Sequence, residues 1–536
     1  MLNKVFPQFF ATLLLIIGLS LSVTAQITQR KTLLTGKVLD PNRAAIPNAD
    51  IWVSGNALPA ASAVTDGNGE FTVLLPPGEY QVRATAEGFA EVTENIKLTG
   101  SKNSQSIELV LAVASSNATV TITDIAAYGI DSISTATKTL TPLRDIPQSI
   151  SVVSKEQIRD QSMASITDVV AYVPGVTSHQ GENNRDQLVI RGNNTSADFF
   201  LNGVRDDVQY YRDLYNVERV EALKGPNSML FGRGGGGGVI NRVSKEAGFS
   251  ALREFAFQGG SFGNKRFTTD LDQPINNRLA FRLNGLYENS GSFRDGVDLE
   301  RYGVNPTATI VVGPKTAVKL SYEYFHDGRV ADRGIPSFQG RPLDVPIETF
   351  FGDPDNSRVR AGVNLVAANV DHQAGRFNIH NRTMFGNYDR FYQNYVPGAV
   401  NTGKSLVSIT AYNNATKRRN LFNQTDVTFD ASTAKVRHNL LAGAELGRQN
   451  TDNFRQSGFF NNTAASILAP VSDPVIDVPV TFRQNATDAN NHIKTNLGAT
   501  YVQDQISFNR YLEVVTGVRF DYFDLQFHNN RNNQDL

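Results

Sequence analysis

The sequence predicts an all-β-dominated chain: an N-terminal β-sandwich, a compact α+β globule, and a long series of strands from a transmembrane β-barrel. Three observations predict it. Short alternating strands between turn residues open the chain, and a segment mixing helical and strand patterns follows. Beyond Ser250 the alternation lengthens into runs of about ten residues joined by very uneven loops. The 536 residues suffice for several domains. Lys+Arg (51) balance Asp+Glu (52), so a net charge of −1 gives no pull toward nucleic acid. The absence of Cys excludes disulfides and Cys-ligated metals.

The first residues, MLNKVFPQFFATLLLIIGLSLSVTAQ, carry Lys4, an apolar run from Ala11 to Leu21, and small residues ending at Ala25. This order describes a secretory signal over residues 1–25. The alternative is a membrane anchor, for which the run is short against the roughly 20 apolar residues a span needs. No later uncharged stretch approaches that length, which leaves a soluble exported protein or a barrel.

Residues 33–112 alternate Phe71, Val73, Leu75 and then Tyr80, Val82, Ala84, with turn chemistry at Asp66-Gly67-Asn68-Gly69 and Pro76-Pro77-Gly78. A small antiparallel sandwich is expected. The elements Gly36-x-Val38-x-Asp40, Pro47-x-Ala49, Thr65-Asp66-x-x-Gly69-x-Phe71 and Leu75-Pro76-Pro77-Gly78-x-Tyr80 resemble the carboxypeptidase regulatory-like domain. Zinc catalysis needs clustered His and Glu around an open position. The one suggestive spacing, His179-x-x-Glu182, lies far outside the segment, and no H-E-x-x-H pairing occurs. No metal site, resident cofactor or catalytic residue is therefore expected, and the sandwich reads as an accessory module.

Residues 113–139 have linker composition, broken by the alternating strip Thr119-Val120-Thr121-Ile122-Thr123-Asp124. Such a strip suits pairing with an exposed sheet edge of a partner; the alternative is a last strand of the sandwich. In residues 140–246, IPQSISVVS reads as a strand and SKEQIRDQSMASITDVVAYVPGV as one or two short helices. QLVIRG, DFFLNGVR and VERVEALKG are further strands. Gly234 to Gly238 precede Val239-Ile240 without the Lys and hydroxyl of a P-loop or the following helix of a dinucleotide fold. The remaining role is close backbone approach to a neighbouring wall.

The ordered motifs Ile146-Pro147-Gln148-Ser149-Ile150, Val173-Pro174-Gly175-Val176, Ile190-Arg191-Gly192, Leu201-Asn202-Gly203-Val204, Val217-Glu218-Arg219-Val220-Glu221, Lys224-Gly225-Pro226, Leu230-Phe231-Gly232 and Gly237-Gly238-Val239-Ile240-Asn241 resemble the plug domain of TonB-dependent outer-membrane receptors. Arg191, Gly192, Gly225, Pro226, Gly232, Gly237 and Gly238 are the structural positions this resemblance implies, with the barrel as the wall the glycines press on.

In residues 250–536, Leu279, Phe281 and Leu283 interleave with Ala280, Arg282 and Asn284. Val318, Leu320, Tyr322 and Tyr324 interleave with Lys319, Ser321 and Glu323. Leu512, Val514, Val518, Phe520 and Tyr522 oppose Glu513, Arg519 and Asp521. Apolar-out, polar-in alternation with unequal connections favours a barrel over a soluble sandwich. FRLNGLYENSGSFRD, YEYFHDGRVADRGIPSFQGRP, RHNLLAGAELGRQNTDNFR and YVQDQISFNRYLEVVTGVRFDYF resemble barrel segments of siderophore receptors, the catecholate type above all. That family closes 22 strands, whereas about eleven are read here. A truncated chain with about half the barrel is expected, and alone it would not transport.

The resemblance implies a non-enzymatic receptor in the outer membrane of a Gram-negative-type bacterium, its N-terminal domain in the periplasm. It would import a ferric siderophore of catecholate type, iron entering only as part of that cargo. Its implied partners are TonB with the inner-membrane ExbB and ExbD, the ferric siderophore and outer-membrane lipid. Thr119 to Asp124 would be the TonB box. His179, Gln180, Asn183, Asn193, Asn194, Gln209, Tyr210, Tyr211 and Arg212 would face the cargo from the plug's apical loops. Other readings are a receptor for carbohydrate or another bulky nutrient and an exported surface binding protein; an exported hydrolase lacks its catalytic constellation.

Overall fold

The computed structural model describes residues 32–40, 43–55, 58–86, 92–99, 104–111, 128, 130, 132–139, 141–225, 228–232, 234–276, 278–313, 315–433, 436–509 and 511–536. The expected leader, the strip Thr119–Asp124 and Pro226 lie outside these residues. The chain divides into two compact units, residues 1–123 and 124–536.

The first unit is two facing sheets. One has Thr32–Leu39 between Glu70–Leu75, antiparallel to it, and Ser104–Val110, which runs parallel and departs from the expected antiparallel order; the other orders Leu58–Val64, Asp50–Gly55, Gly78–Thr85 and Val92–Leu98. Phe71, Val73 and Leu75 pack with Tyr80, Val82 and Ala84 in one core, as their alternation predicts. Asp66 builds the tight turn: its Oδ1 accepts from Asn68 N and Glu70 N, and its carbonyl accepts from Gly69 N. Gly69 is needed there, at φ 72° with Val38 O 2.7 Å from where a Cβ would sit.

The second unit begins with the α+β globule. Its main sheet runs Ser149–Ser154, Val217–Lys224, Gly238–Ser244, Phe199–Leu201, Val204–Arg205, and a smaller sheet joins Val176–His179, Gln187–Ile190 and Asn193–Thr195. The helical stretch resolves into two short helices. Ser154 caps Lys155–Asp160 through Gln157 N, and Ser165 with Asp168 forms a capping box on Ile166–Val170. Ile158, Ile166, Val169 and Val170 close the core against Val220 and Ile240.

From Leu252 to Asn529 the chain forms one antiparallel meander of eleven long strands. Asn276 and Leu279, Gly313 and Thr316, Ala374 and Phe377, Thr433 and Val436, Asn509 and Leu512 end one strand and begin the next. At the opposite end the connections are uneven, two of them long, from Val330 to Arg358 and from Phe460 to Asn490. These two loops are stitched together by Gly352 N to Pro474 O at 3.2 Å and Ile476 N to Gly352 O at 2.9 Å, over an apolar cluster including Leu343, Phe351 and Phe460. Side chains alternate as the sequence predicts: Phe281, Leu320 and Tyr322 are exposed on the outer face, while Arg282, Asn284 and Glu323 are buried against the globule. Among the described residues the first and last long strands, Leu252–Gly259 and Leu512–Asn529, are not paired with each other, so the sheet is open.

The glycine run departs from expectation in one respect. The close approach is mostly within the globule and not against the strand wall. A Cβ on Gly237 would lie 2.1 Å from Ile190 O, one on Gly238 2.5 Å from Leu223 O, and one on Gly234 2.5 Å from Asp198 Oδ1. Asp198 also accepts from Gly235 N at 2.9 Å. The wall is met earlier, at Gly232, where a Cβ would lie 2.8 Å from Arg519 Nη2. Gly225 at φ 108° and Arg191-Gly192 at φ 49° and 85° make the turns these strands require. Gly236 has open space around it. Gly237→Ala is therefore expected to destabilise the globule by about 1–3 kcal/mol through overpacking, whereas Gly236→Ala leaves it unchanged. Denaturant midpoints of the two variants against the parent test the difference.

Candidate functional site

Between globule and strands, at mid-depth, lies a buried ionic cluster. Asp206 Oδ2 takes hydrogen bonds from Arg212 Nε (3.0 Å), Arg242 Nη2 (2.8 Å) and the Tyr210 hydroxyl (3.0 Å), while Oδ1 takes the hydroxyl of Tyr388 from the strand wall at 3.2 Å. Arg212 also reaches Asp186 at 3.2 Å and the carbonyls of Tyr210, Asp206 and Val208, with its guanidinium stacked over Phe199 and Tyr210. The two carboxylates shift oppositely. Burial pushes Asp206 upward, but Arg212 and Arg242 together outweigh it and hold the group below its usual range. Burial wins at Asp186, which is raised despite Arg212, and whose Oδ1 has no hydrogen-bond partner.

This placement bears on two residues expected to face a ligand. Tyr210 and Arg212 are 3% and 1% exposed, and both are engaged internally. Both hold the globule together around Asp206 and Asp186, because a buried guanidinium needs its counter-charges within reach, and Tyr388 joins that cluster from the wall. Asn193 sits at the far turn of its hairpin, against Gly237, and Asn194 hydrogen-bonds Gln187. Gln209 accepts from Arg390 Nη1 at 3.3 Å.

His179, Gln180, Asn183 and Tyr211 do come together, at the long-loop end. The Tyr211 hydroxyl donates to Gln180 O at 2.9 Å and to Asn183 Oδ1 at 3.4 Å, and burial pushes its pKa up to about 12. Arg329 lies over the Tyr211 ring at 4.0 Å, and Gln180 Nε2 donates to Asp332 O at 2.9 Å. His179 is exposed beside them.

Around this loop the strand wall places residues the sequence reading did not single out. Glu182, in the loop, accepts from the Tyr412 hydroxyl at 3.0 Å and pairs with Arg185 (3.3 Å) and Arg333 (3.5 Å). Arg390 reaches Asn184 Oδ1 at 3.5 Å and lies over Tyr392, and Arg455 lies over Tyr412 at 3.9 Å. Arg329 has Asp327 and Arg455 has Asp488 as counter-charges. Arg185 and Arg333 share the single carboxylate of Glu182. Arg390 is 7% exposed, its Nε lacks a hydrogen-bond partner, and among the described residues no carboxylate lies within ion-pair distance. The result is a collar with surplus positive charge and three tyrosine rings, suited to an anionic, aromatic ligand. Among the described residues no group of three or more His, Cys, Asp or Glu is placed to hold a metal.

Comparison with known proteins gives three matches to family models. Residues 142–239 match the TonB-dependent Receptor Plug Domain, residues 34–112 the Carboxypeptidase regulatory-like domain, and residues 357–536 the Outer membrane beta barrel domain. The chain is 26% identical over 422 residues to the probable TonB-dependent siderophore receptor PiuA of Acinetobacter baumannii, covering 73% of this chain and 56% of that protein. It is 27% identical over 425 residues to the catecholate siderophore receptor Fiu of Escherichia coli K12, covering 72% and 54%. The crystal structure of the ferric-catecholate import receptor Fiu from E. coli K12, open form, superposes with a TM-score of 0.63 at 26% identity, covering 72% of this chain and 61% of that one. The chain thus spans about half the length of the curated relatives it matches.

The ionic cluster generates a pH expectation. A carboxylate whose pKa is lower in the folded protein contributes stability above its unfolded value of about 3.9, lost as pH falls through the folded value. Protection of the globule from protease should therefore not fall through Asp206 between pH 7 and 5. Asp206→Asn should cost about 3–5 kcal/mol by leaving two buried guanidinia under-compensated, seen as faster cleavage within residues 200–245 already at neutral pH.

Proposed function

Because the chain is a TonB-dependent receptor of the outer membrane by its plug and barrel domains, we propose that its gene product imports an anionic ferric siderophore of catecholate type. The observation that carries this reading is the unbalanced collar: Arg185 and Arg333 share one carboxylate, Glu182, and among the described residues buried Arg390 has none within ion-pair distance. A buried guanidinium without a counter-ion is costly unless a bound anion completes it. A ferric tris-catecholate is both anionic and rimmed by rings, matching the collar's surplus positive charge and its tyrosine rings. The name of the relative Fiu agrees with a catecholate cargo, and that of PiuA with a siderophore.

In this reading the cargo enters at the long-loop end and rests on the loop His179–Asn184. Gln180, Asn183 and Tyr211 contact it with the collar, while Tyr210, Arg212 and Gln209 support the collar from below. Asn193 and Asn194 act away from the cargo, in the hairpin. The TonB box is Thr119 to Asp124. TonB, energised by ExbB and ExbD, pairs with it and draws the plug aside, and no bond in the cargo is made or broken. The sandwich sits in the periplasm.

Two outcomes test this. In the complete gene product, Arg390→Gln should weaken binding of the ferric 2,3-dihydroxybenzoate complex by about 10–100-fold, the value of a charge-assisted contact of roughly 1.5–3 kcal/mol. A neutral ferric tris-hydroxamate should bind poorly to both proteins; equal binding of the two chelates would overturn the reading. Deleting residues 119–124 should abolish uptake of radiolabelled iron by cells and leave binding at the surface intact.

A further inference from the structure

The loop that meets the collar has an unusual backbone. Gly181, Glu182 and Asn183 stand consecutively at φ 62°, 54° and 53°. Glycine and asparagine adopt the left-handed region readily, but glutamate seldom does. A glutamate there needs its side-chain contacts to hold it. Those contacts are the ones of the collar: the Tyr412 hydroxyl, Arg185 and Arg333.

We propose that Glu182 is a built-in substitute for the cargo's negative charge, occupying the arginine collar while the receptor is empty and leaving it when an anionic chelate binds. The proposal rests on the function given above and adds how the same site is regulated. The side chain is one-third exposed (33%), so an incoming ligand reaches it, whereas Arg185 and Arg333 are 14% and 17% exposed and stay in place. Burial works to raise the Glu182 pKa, but Arg185, Arg333 and Tyr412 outweigh it, so the group is charged in the empty site. Chelate and carboxylate then compete for the same guanidinia. Once displaced, Glu182 no longer supports its left-handed conformation and the loop is free to rearrange. That loop joins Val176–His179 to Gln187–Ile190, and Ile190 is the residue whose carbonyl abuts Gly237. Binding at the rim thereby reaches the glycine turn of the plug.

Glu182→Gln keeps the shape and an acceptor for Tyr412 while removing the charge. In the complete gene product it should bind the ferric 2,3-dihydroxybenzoate complex about 10-fold more tightly, roughly 1.4 kcal/mol, with no gain for a neutral tris-hydroxamate. Its loop 179–187 should be cleaved by protease without ligand as readily as the parent's is with ligand. Unchanged or weaker binding by Glu182→Gln, alongside a loss in Arg390→Gln, would overturn the substitute role and leave the cargo assignment standing. If the parent and Arg390→Gln bind equally, the cargo assignment falls and this inference with it. Glu182→Asp, which keeps the charge on a shorter stem, guards against a folding artefact: it should remain close to the parent, and a gain equal to that of Glu182→Gln would also overturn the proposal.

Discussion

A sheet that turns its apolar side chains outward to lipid presents polar side chains inward, and whatever fills its interior has to meet charge with charge. That constraint organises the second unit. Asp206 is completed by Arg212 and Arg242 from the globule and by Tyr388 from the wall, and Asp213 pairs with Arg266 and Arg301 of the strands. Lys138, at the end of the linker, meets Asp426 at 3.8 Å. Such a boundary is specific, because one missing partner leaves a buried charge. It is also replaceable by water in a way an apolar core is not, since hydrating an ion pair recovers much of what separating it costs. A plug held in this manner can be docked in one register and still be drawn out by force.

The same accounting fails to close at the rim, and there the imbalance carries the proposed function. Around Asp206 cations and carboxylates stand close together deep in the unit. Around Glu182, two arginines share one acid, and among the described residues Arg390 is buried without any. Stability alone would favour a second carboxylate at the collar. A site that has to accept an anion cannot satisfy itself fully, because each internal counter-charge competes with the ligand. In the proposed role, one partly exposed glutamate on a turn it adopts reluctantly is a compromise: enough charge to hold the loop in the empty state, too little to keep a chelate out.

How much of this was legible in the sequence follows from the range of each interaction. Alternation is local, so the strands through Phe281, Leu320 and Tyr322, their buried polar faces and the sandwich core from Phe71 to Ala84 could be read directly. The glycine run announced a close approach, but which backbone it approached depended on Ile190 and Leu223, whose placement no local pattern encodes. The site was legible only in part. Gln180, Asn183 and Tyr211 were found through their loop, yet neighbouring Arg212 folds inward because Asp186 and Asp206 await it. Arg390, Tyr412 and Arg455 were missed because polar residues recur at many inward strand positions, and Arg333 because it lies in a long connection without a periodic pattern. Only the pairing register shows which of them stand beside residue 182, up to 230 positions away.

The register also explains why rim and turn are mechanically close. The hairpin strand Gln187–Ile190 is four residues long, and its ends touch the two features that the chain's local chemistry makes special. At one end Gln187 follows the loop of left-handed residues under the arginines. At the other, the Ile190 carbonyl fills the space that a side chain on Gly237 would need. A strand this short, paired on both edges by Val176–His179 and Asn193–Thr195, behaves as a stiff element. Displacing its upper end without disturbing its lower one would require breaking that pairing. The glycines beneath it have no side chains to resist a shift, so the proposed change, which begins when Glu182 leaves its two arginines, meets little opposition at the glycine turn.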